Sequence, residues 1–395
     1  DSFEQMEDGS IAFGEPTPPA EDTDFYANLA DIMPDSDLNS LKNDLMSNIE
    51  SDKDSRGDWE KTYREGLEYL GMKYEERSQP FEGASGVMHP LLSESVTQFQ
   101  AQAYNELLPS QGPVKTQVLG MTTPETEQQA ARVQEFMNYQ LMQVMKEYDP
   151  ETDQMLFYLP LSGSAFRKVY YDQNLGRAVS KFIPSEDLIV PYSATDLHSA
   201  TRITHVINMP MNDIRKLQQI GFYSDVDIES GNMMADETDD IQEGIDELQG
   251  VKPSYDDDDT CKVHEIHTEL DIEGFEDMNA EGEDTGIKLP YIVTIGNNKV
   301  LSIRRNYKEN DQLKQRINYF VHYKFLPGLG FYGFGLTHMI GGLSKAATSI
   351  LRQLIDAGTL SNLPAGFKAR GIRIRNDDQP LQPGEFRDMD APGGS

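Results

Sequence analysis

The chain has a single cysteine, Cys261, in 395 residues. One thiol cannot build an internal disulfide framework, which fits a reducing compartment, and Cys261 reads as a small hydrophobe. Long apolar runs are also missing. Each is interrupted well before the about 18 residues that a membrane helix requires, so no membrane span is expected. Positive charge is scarce, with 34 Lys and Arg against 67 Asp and Glu and a net charge of −33. A uniformly acidic protein repels nucleic acid and anionic lipid, which argues against a sequence reader of DNA. Apolar residues make up 37%, low for a compact globule, which points to extended arms, long loops or interfaces. The opening DSFEQMEDGS is acidic where a secretory signal needs a positive stretch, so no signal is expected there. With Asp first and APGGS last, the chain is read as a piece of something longer.

What is present is unevenly distributed. Residues 221–285 hold 23 acids and two bases, Lys252 and Lys262, whereas residues 286–375 hold three acids and 14 Lys and Arg. Such a split suggests surfaces with different partners, or an acidic face of one subunit against a basic face of another. The length allows two or three domains. Residues 1–55 read as an acidic, mostly irregular arm with a short helix at 38–49. DWEKTYREGLEYLGMKYEER has Trp59, Tyr63, Leu67 and Leu70 on one helix face, and the next helix carries Leu92, Val96, Phe99, Ala103 and Leu107. Between them FEGASGVMHP reads as a loop. Thr123-Pro124-Glu125 starts a helix to about residue 148, with Val133, Met137, Leu141 and Val144 inward. Asp149-Pro150 starts another. SAFRKVYYDQNLGRAVSKFI is a β-hairpin signal. ITHVINM reads as a strand and MNDIRKLQQIG as a helix closed by Gly221. Residues 225–259 are acidic and end in four aspartates, so a long solvated loop without core residues is expected. KVHEIHTELDI, LPYIVTIG, KVLSIRR and INYFVHYKF then give a sheet of antiparallel character.

Three motifs invite chemistry. Gly328-Leu329-Gly330-Phe331-Tyr332-Gly333 spells G-x-G-x-x-G between a strand and a helix. A dinucleotide fingerprint, however, needs a βαβ unit and an acid about 20 residues on, after a second strand. Here the strands look like hairpins, the next acid, Asp356, lies inside the helix, and Phe331 and Tyr332 would crowd a pyrophosphate. His264-Glu265-Ile266-His267 has its histidines at i and i+3 on an alternating strand, not at i and i+4 on a helix, so two ordinary strand histidines are expected. The segment from Asp225 to Asp236 resembles a calcium loop but has its glycine at the seventh position and lacks the closing Glu. No nucleophile elbow, Walker loop or paired-cysteine site is present. No enzyme, cofactor or metal site is expected.

PGLGFYGFGLTHMIGGLSKAATSILRQLIDAGTLSNLPAGFKARGIRI, together with DWEKTYREGLEYLGMKY, ASGVMHPLL, QGPVKTQVLG and LPLSGSAFRKVYYD, resembles the portal (head-to-tail connector) proteins of tailed double-stranded DNA bacteriophages. The resemblance runs from about Trp59 to Gly394 and is most specific over residues 327–374. It implies a mixed α+β, ring-forming protein: an α/β wing with a hairpin-rich sheet, a long stem helix and the start of a clip. The expected division is an arm (1–55), wing helices and hairpin (56–235), an acidic loop (236–262), wing strands (263–327), a glycine turn and stem helix (328–361) and a clip region (362–395). The rest of the clip, a second stem helix, tunnel loop and crown would follow. The ring, a dodecamer of about twelve copies, would sit in the virion at one capsid vertex, after assembly in the host cytoplasm. Its implied partners are the capsid protein, the terminase large subunit, the head–tail adaptor, and double-stranded DNA passing without sequence specificity. The same vocabulary would also suit another virion part, an adaptor or tail component; a nucleotide-dependent oxidoreductase is the remoter alternative.

Under this reading Gly328, Gly330, Gly333 and Gly335 let a wing strand swing sharply into the stem helix, where side chains would collide. Thr337 would cap that helix. Ile340, Leu343, Ala347, Ile350, Leu354 and Ala357 would form a heptad seam toward neighbouring helices, with Gly358 and Pro364 ending it. Lys345 and Arg352 are candidates to face DNA or a partner. Lys368, Arg370, Arg373 and Arg375 would form a basic docking collar for the packaging motor or the adaptor, aligned by a bulge at Gly371. The net charge fits a channel wall to which phosphate does not stick.

Overall fold

The computed structural model describes residues 24–72, 77, 84–173, 175–228, 240–250, 260–278 and 284–362, and the short strands at 3–5, 11–13, 373–374 and 389–390. Among them the fold is mixed α+β, with eight α-helices and two main antiparallel sheets. The chain opens with the short pair β1 (Phe3–Gln5) and β2 (Ile11–Phe13). Helix α1 (Asp35–Asp54) follows, then α2 (Gly57–Tyr69), α3 (Leu91–Leu107), α4 (Pro124–Tyr139) and α5 (Tyr148–Ser162). Strands β3 (Ser164–Asp172), β4 (Arg177–Ile183), β5 (Leu188–Ile189) and β6 (Arg202–Pro210) come next, then α6 (Met211–Gln219) and α7 (Asp240–Gln249). The rest comprises β7 (Thr260–Leu270), β8 (Leu289–Gly296), β9 (Lys299–Arg305), β10 (Phe320–Lys324), α8 (Leu336–Asn362), and the short strands β11 (Arg373–Ile374) and β12 (Met389–Asp390).

The larger sheet has the order β5-β6-β7-β8-β9 and the smaller β10-β3-β4. Alternation puts Ile266, Tyr291, Val293 and Ile303 on the covered side of the larger sheet, where Leu45 and Ile49 of α1 pack. The stretch read as an irregular arm therefore contains a 20-residue helix that contributes to the core, longer than the expected 38–49 segment. Asn28 anchors its leading turn: its Oδ1 accepts from Ile303 N–H at 2.9 Å and its Nδ2 donates to Ser224 Oγ at 2.9 Å. The expected hairpin is β3–β4, in register from Phe166 opposite Ile183 to Asp172 opposite Arg177. Phe166, Ile183, Leu188, Ile203, Phe320 and Phe331 form the core between the two sheets.

A helical layer has a core cluster of its own, built on Tyr63, Leu67, Leu92, Val96, Leu161 and Ile241. Ile241 comes from α7, inside the segment expected to be a solvated loop without core. Ile241, Ile245 and Leu248, at spacings of four and three, seat that acidic helix in the helical layer. Helix α4 starts as expected, with a reciprocal capping box between Thr123 and Thr126 and Pro124 at the first position. It stops at Tyr139, passes through a π-helical turn over Gln140–Val144, and buries none of its residues. Val133 and Met137, expected inward, are 49% and 45% exposed. Gly221 closes α6 at φ +72°, as read. No helix among the described residues is long and apolar enough to cross a membrane.

Candidate functional site

The glycine loop joins β10 to α8 and folds back on itself. Phe334 N–H donates to Leu326 O at 2.8 Å, and Leu326 N–H returns a bond to Phe334 O. Its glycines answer to the corner between α5 and β3. A Cβ on Gly335 would lie 2.5 Å from Leu161 O and 2.8 Å from Pro160 O, and one on Gly333 would strike Gly163 O. Gly163 holds φ +85° and faces Gly333 and Gly335 in turn. Gly328 is required by Tyr332 O, 2.5 Å from its would-be Cβ, whereas Gly330 has open space around it. The collisions at Gly333 and Gly335 thus come from the chain's own α5–β3 corner, that at Gly328 from the loop itself, and Gly330 takes no part in them. Two donors at the end of the loop are taken within the chain: Gly333 N–H binds Ser164 Oγ at 2.8 Å and Gly335 N–H binds His338 Nδ1 at 3.1 Å. Phe331 stacks on Phe166, and Tyr332 stacks on Trp59 with centroids 4.4 Å apart. These rings lock the turn onto the sheet and onto α2.

Helix α8 follows from this corner. Thr337 is its second residue, not its cap; the hydroxyl donates to Leu161 O at 3.0 Å, tying the helix start to α5. Gly335 and His338 satisfy each other across the first turn instead. Gly358 lies inside the helix, which continues to Asn362; Pro364 is outside the described residues. At 27 residues the helix spans about 40 Å.

Its amphipathicity is inverted with respect to its own chain. The face turned inward is small and polar: Thr337, Gly341, Ser344, Thr348 and Asp356 are buried. Three side chains one helical turn apart hold the backbone of the ASGVMHP segment. Thr348 Oγ1 accepts from His89 N–H at 3.0 Å, Arg352 Nε donates to Val87 O at 2.7 Å, and Asp356 Oδ1 accepts from Ser85 N–H at 2.7 Å. The loop therefore satisfies its backbone groups on α8, which explains a polar face in a buried place. The outward face is apolar. Met339, Leu343, Ile350 and Leu354 are 57%, 63%, 66% and 70% exposed. Of the expected seam, Ile340 turns inward against the helical layer and Ala347 is half-buried, while Leu343, Ile350 and Leu354 project away from the chain.

Lys345 and Arg352 lie on the side of α8 that carries Thr348 and Asp356, away from the apolar seam. They line a cavity of about 910 Å³ between α2, α7 and α8, together with Arg64, Arg77, Leu248 and Leu360. Lys345 Nζ sits 5.8 Å above the Tyr69 ring. Its pKa is raised by the hydrogen bond to the Tyr69 hydroxyl and by Glu65 and Glu68. Of the basic collar, Lys368, Arg370, Arg375 and the expected bulge at Gly371 are outside the described residues. Arg373 falls in β11, which pairs antiparallel with β12 and sets Arg373 opposite Asp390. Most of the segment resembling a calcium loop also falls outside them. Among the described residues no group of three His, Cys, Asp or Glu is placed to hold a metal ion.

Two buried polar centres were not anticipated. Arg56 is 5% exposed, and its guanidinium donates to the carbonyls of Ser185, Glu186 and Leu188, to Glu60 and to the Tyr332 hydroxyl. It thereby fastens the α1–α2 corner to the sheet and to the glycine loop. Between the sheets, Lys168 Nζ of β3 lies 2.6 Å from both carboxylate oxygens of Glu265 on β7, and His267 Nε2 lies 2.7 Å from Oε1. Burial alone would raise the Glu265 pKa, but Lys168 and the His267 hydrogen bond outweigh it and hold the carboxyl far below its usual range. Burial holds His205 and His322 down to about 3 and His264 to about 4, so these rings stay neutral. His264 and His267 point to opposite sides of β7 as read, yet Glu265 and His267 share a face and act together.

Compared with models of known protein families the chain matches none, and no curated protein matches it.

Proposed function

We propose that this protein is a ring-forming virion part of the portal type, which assembles into a DNA channel at one capsid vertex and performs no catalysis. The observation that carries this reading is the inverted helix α8. A helix about 40 Å long with its polar face spent on its own chain and its apolar face outward is incomplete alone. Burying such a side chain fully is worth about 1.5–3 kcal/mol, so each of Met339, Leu343, Ile350 and Leu354 leaves roughly 1–2 kcal/mol unclaimed in the monomer. Repeated copies placed side by side recover that energy at every contact, and a heterologous contact that closes makes a ring. Portal-type motifs at the glycine turn, in α2 and in the ASGVMHP segment meet at this helix, which supports the same reading.

DNA would pass through the ring without sequence-specific contact, along a wall whose subunits each carry −33. The basic residues Lys368, Arg370, Arg373 and Arg375 would serve as the collar that docks the terminase during packaging and the head–tail adaptor afterwards. Sedimentation velocity tests the assembly step. The full-length protein should run as one large species, and Leu343→Glu with Ile350→Glu should run as a folded monomer. An unchanged large species in that double variant would refute the role given to α8.

A further inference from the structure

Helix α4 and the cavity beside α8 are each unaccounted for within one chain. α4 buries none of its residues. One side is held by the segment before it: Val114 N–H donates to Asn138 Oδ1 at 2.9 Å, and Thr116 Oγ1 donates to Ala130 O at 2.8 Å. Another side carries Val133, Phe136 and Met137, 49%, 61% and 45% exposed, at the spacing that forms one helical stripe. Its charges are Glu125, Glu127 and Glu135 against Arg132, a net of −2. The cavity has the opposite character. Arg64, Arg77, Lys345 and Arg352 face Glu68 and Asp356 around it, a net of +2 in a chain of −33, with Leu248 and Leu360 in its lining.

We infer that the acidic, apolar-striped helix α4 of one copy docks into the cationic cavity between α2, α7 and α8 of the next copy. This rests on the ring reading above and gives it a specific contact. A head-to-tail ring requires two different, complementary surfaces on each subunit, and these two match in charge and in apolar content. They also explain why Lys345 and Arg352 sit over a cavity on a flank of α8 away from its apolar seam. The occupant is a second copy of this chain, because a complementary helix with an exposed apolar stripe is already present on it.

Cysteine cross-linking of the full chain tests this, since the natural Cys261 is 2% exposed and out of reach. Phe136→Cys with Leu360→Cys, bridged by a short bis-maleimide, should give a ladder of covalent oligomers. The rate should be at least about tenfold above either single variant, because assembly makes the reaction effectively intramolecular. Phe136→Cys with Ile350→Cys reports the rival placement of α4 on the apolar seam. In parallel, Lys345→Glu with Arg64→Glu should weaken assembly at least tenfold, and adding Glu125→Lys, in line with Phe136 on α4, should restore part of it. Rings seen by microscopy without the Phe136–Leu360 ladder, or with a ladder only through Ile350, would overturn the inference and leave the ring intact. Monomers alone for the unaltered protein would overturn both.

Discussion

Replacing single glycines around the α5–β3 corner by alanine separates a turn built for close packing from one built for a ligand. At Gly335 the added methyl would lie 2.5 Å from Leu161 O and 2.8 Å from Gly163 N, both backbone atoms that cannot rotate away. The start of α8 must move, and overpacking of this kind costs about 1–3 kcal/mol. At Gly163 the same collision with Gly333 adds to a φ of +85°. The left-handed backbone costs a further 1–2 kcal/mol or so, for a total of roughly 2–5 kcal/mol. At Gly330 nothing lies within 4 Å and φ is not positive, so alanine meets no obstacle. A gain of about 0.4–1 kcal/mol is expected there from the less flexible unfolded chain. The chain's one tryptophan, Trp59, stacks on Tyr332 of the turn, so its fluorescence reports unfolding at this corner. Urea titrations at low protein concentration should order the midpoints Gly330→Ala at or above the parent, then Gly335→Ala, then Gly163→Ala. A Gly330→Ala midpoint as low as that of Gly335→Ala would refute the steric account.

Stability should fall as the pH drops below about 6.5. The folded values of His205, His322 and His264 lie near 3, 3 and 4, so each ring binds its proton more readily when unfolded. Their contribution is complete above the unfolded value and is lost progressively below it, about 1–2 kcal/mol per ring by pH 5. Urea midpoints that stay level from pH 7.5 to pH 5 would contradict this. Ile241→Ala should cost about 2–4 kcal/mol, because Ile241 is fully buried at the α2–α7 contact; a cost under about 0.5 kcal/mol would return α7 to the status of a solvated excursion. Rings in which Lys368, Arg370, Arg373 and Arg375 are all changed to Glu should assemble normally yet fail to package DNA or bind the adaptor. Full packaging by such rings would remove the collar.

The elements with a regular pattern were legible from the chain. β3 and β4 alternate on either side of a turn, α2 repeats Trp59, Tyr63, Leu67 and Leu70, and Thr123-Pro124 announces α4. Helix α7 was hidden by composition: its acids dominate a reading by charge, although Ile241, Ile245 and Leu248 already had helical spacing. Gly358 looked like a stop, but a glycine ends a helix only where the backbone turns left-handed, and here it does not. Val133 and Met137 were placed inward because a stripe states only that one face is apolar, not which surface covers it. The seam on α8 shows the same limit from the other side: its periodicity was plain, but not that Thr348, Arg352 and Asp356 would bind the ASGVMHP backbone and turn the seam outward. The Arg56 and Lys168–Glu265 centres join residues 129 and 97 positions apart in the chain, beyond any local pattern.

The central claim, that α8 is completed by neighbouring copies in a closed ring, is tested most directly by electron microscopy of the full-length protein viewed down the assembly axis. Closed rings of about twelve subunits are expected, with each α8 packed on the next copy and Leu343, Ile350 and Leu354 out of solvent. Monomers as the sole species, or rings in which the apolar face of α8 stays in water, would contradict it.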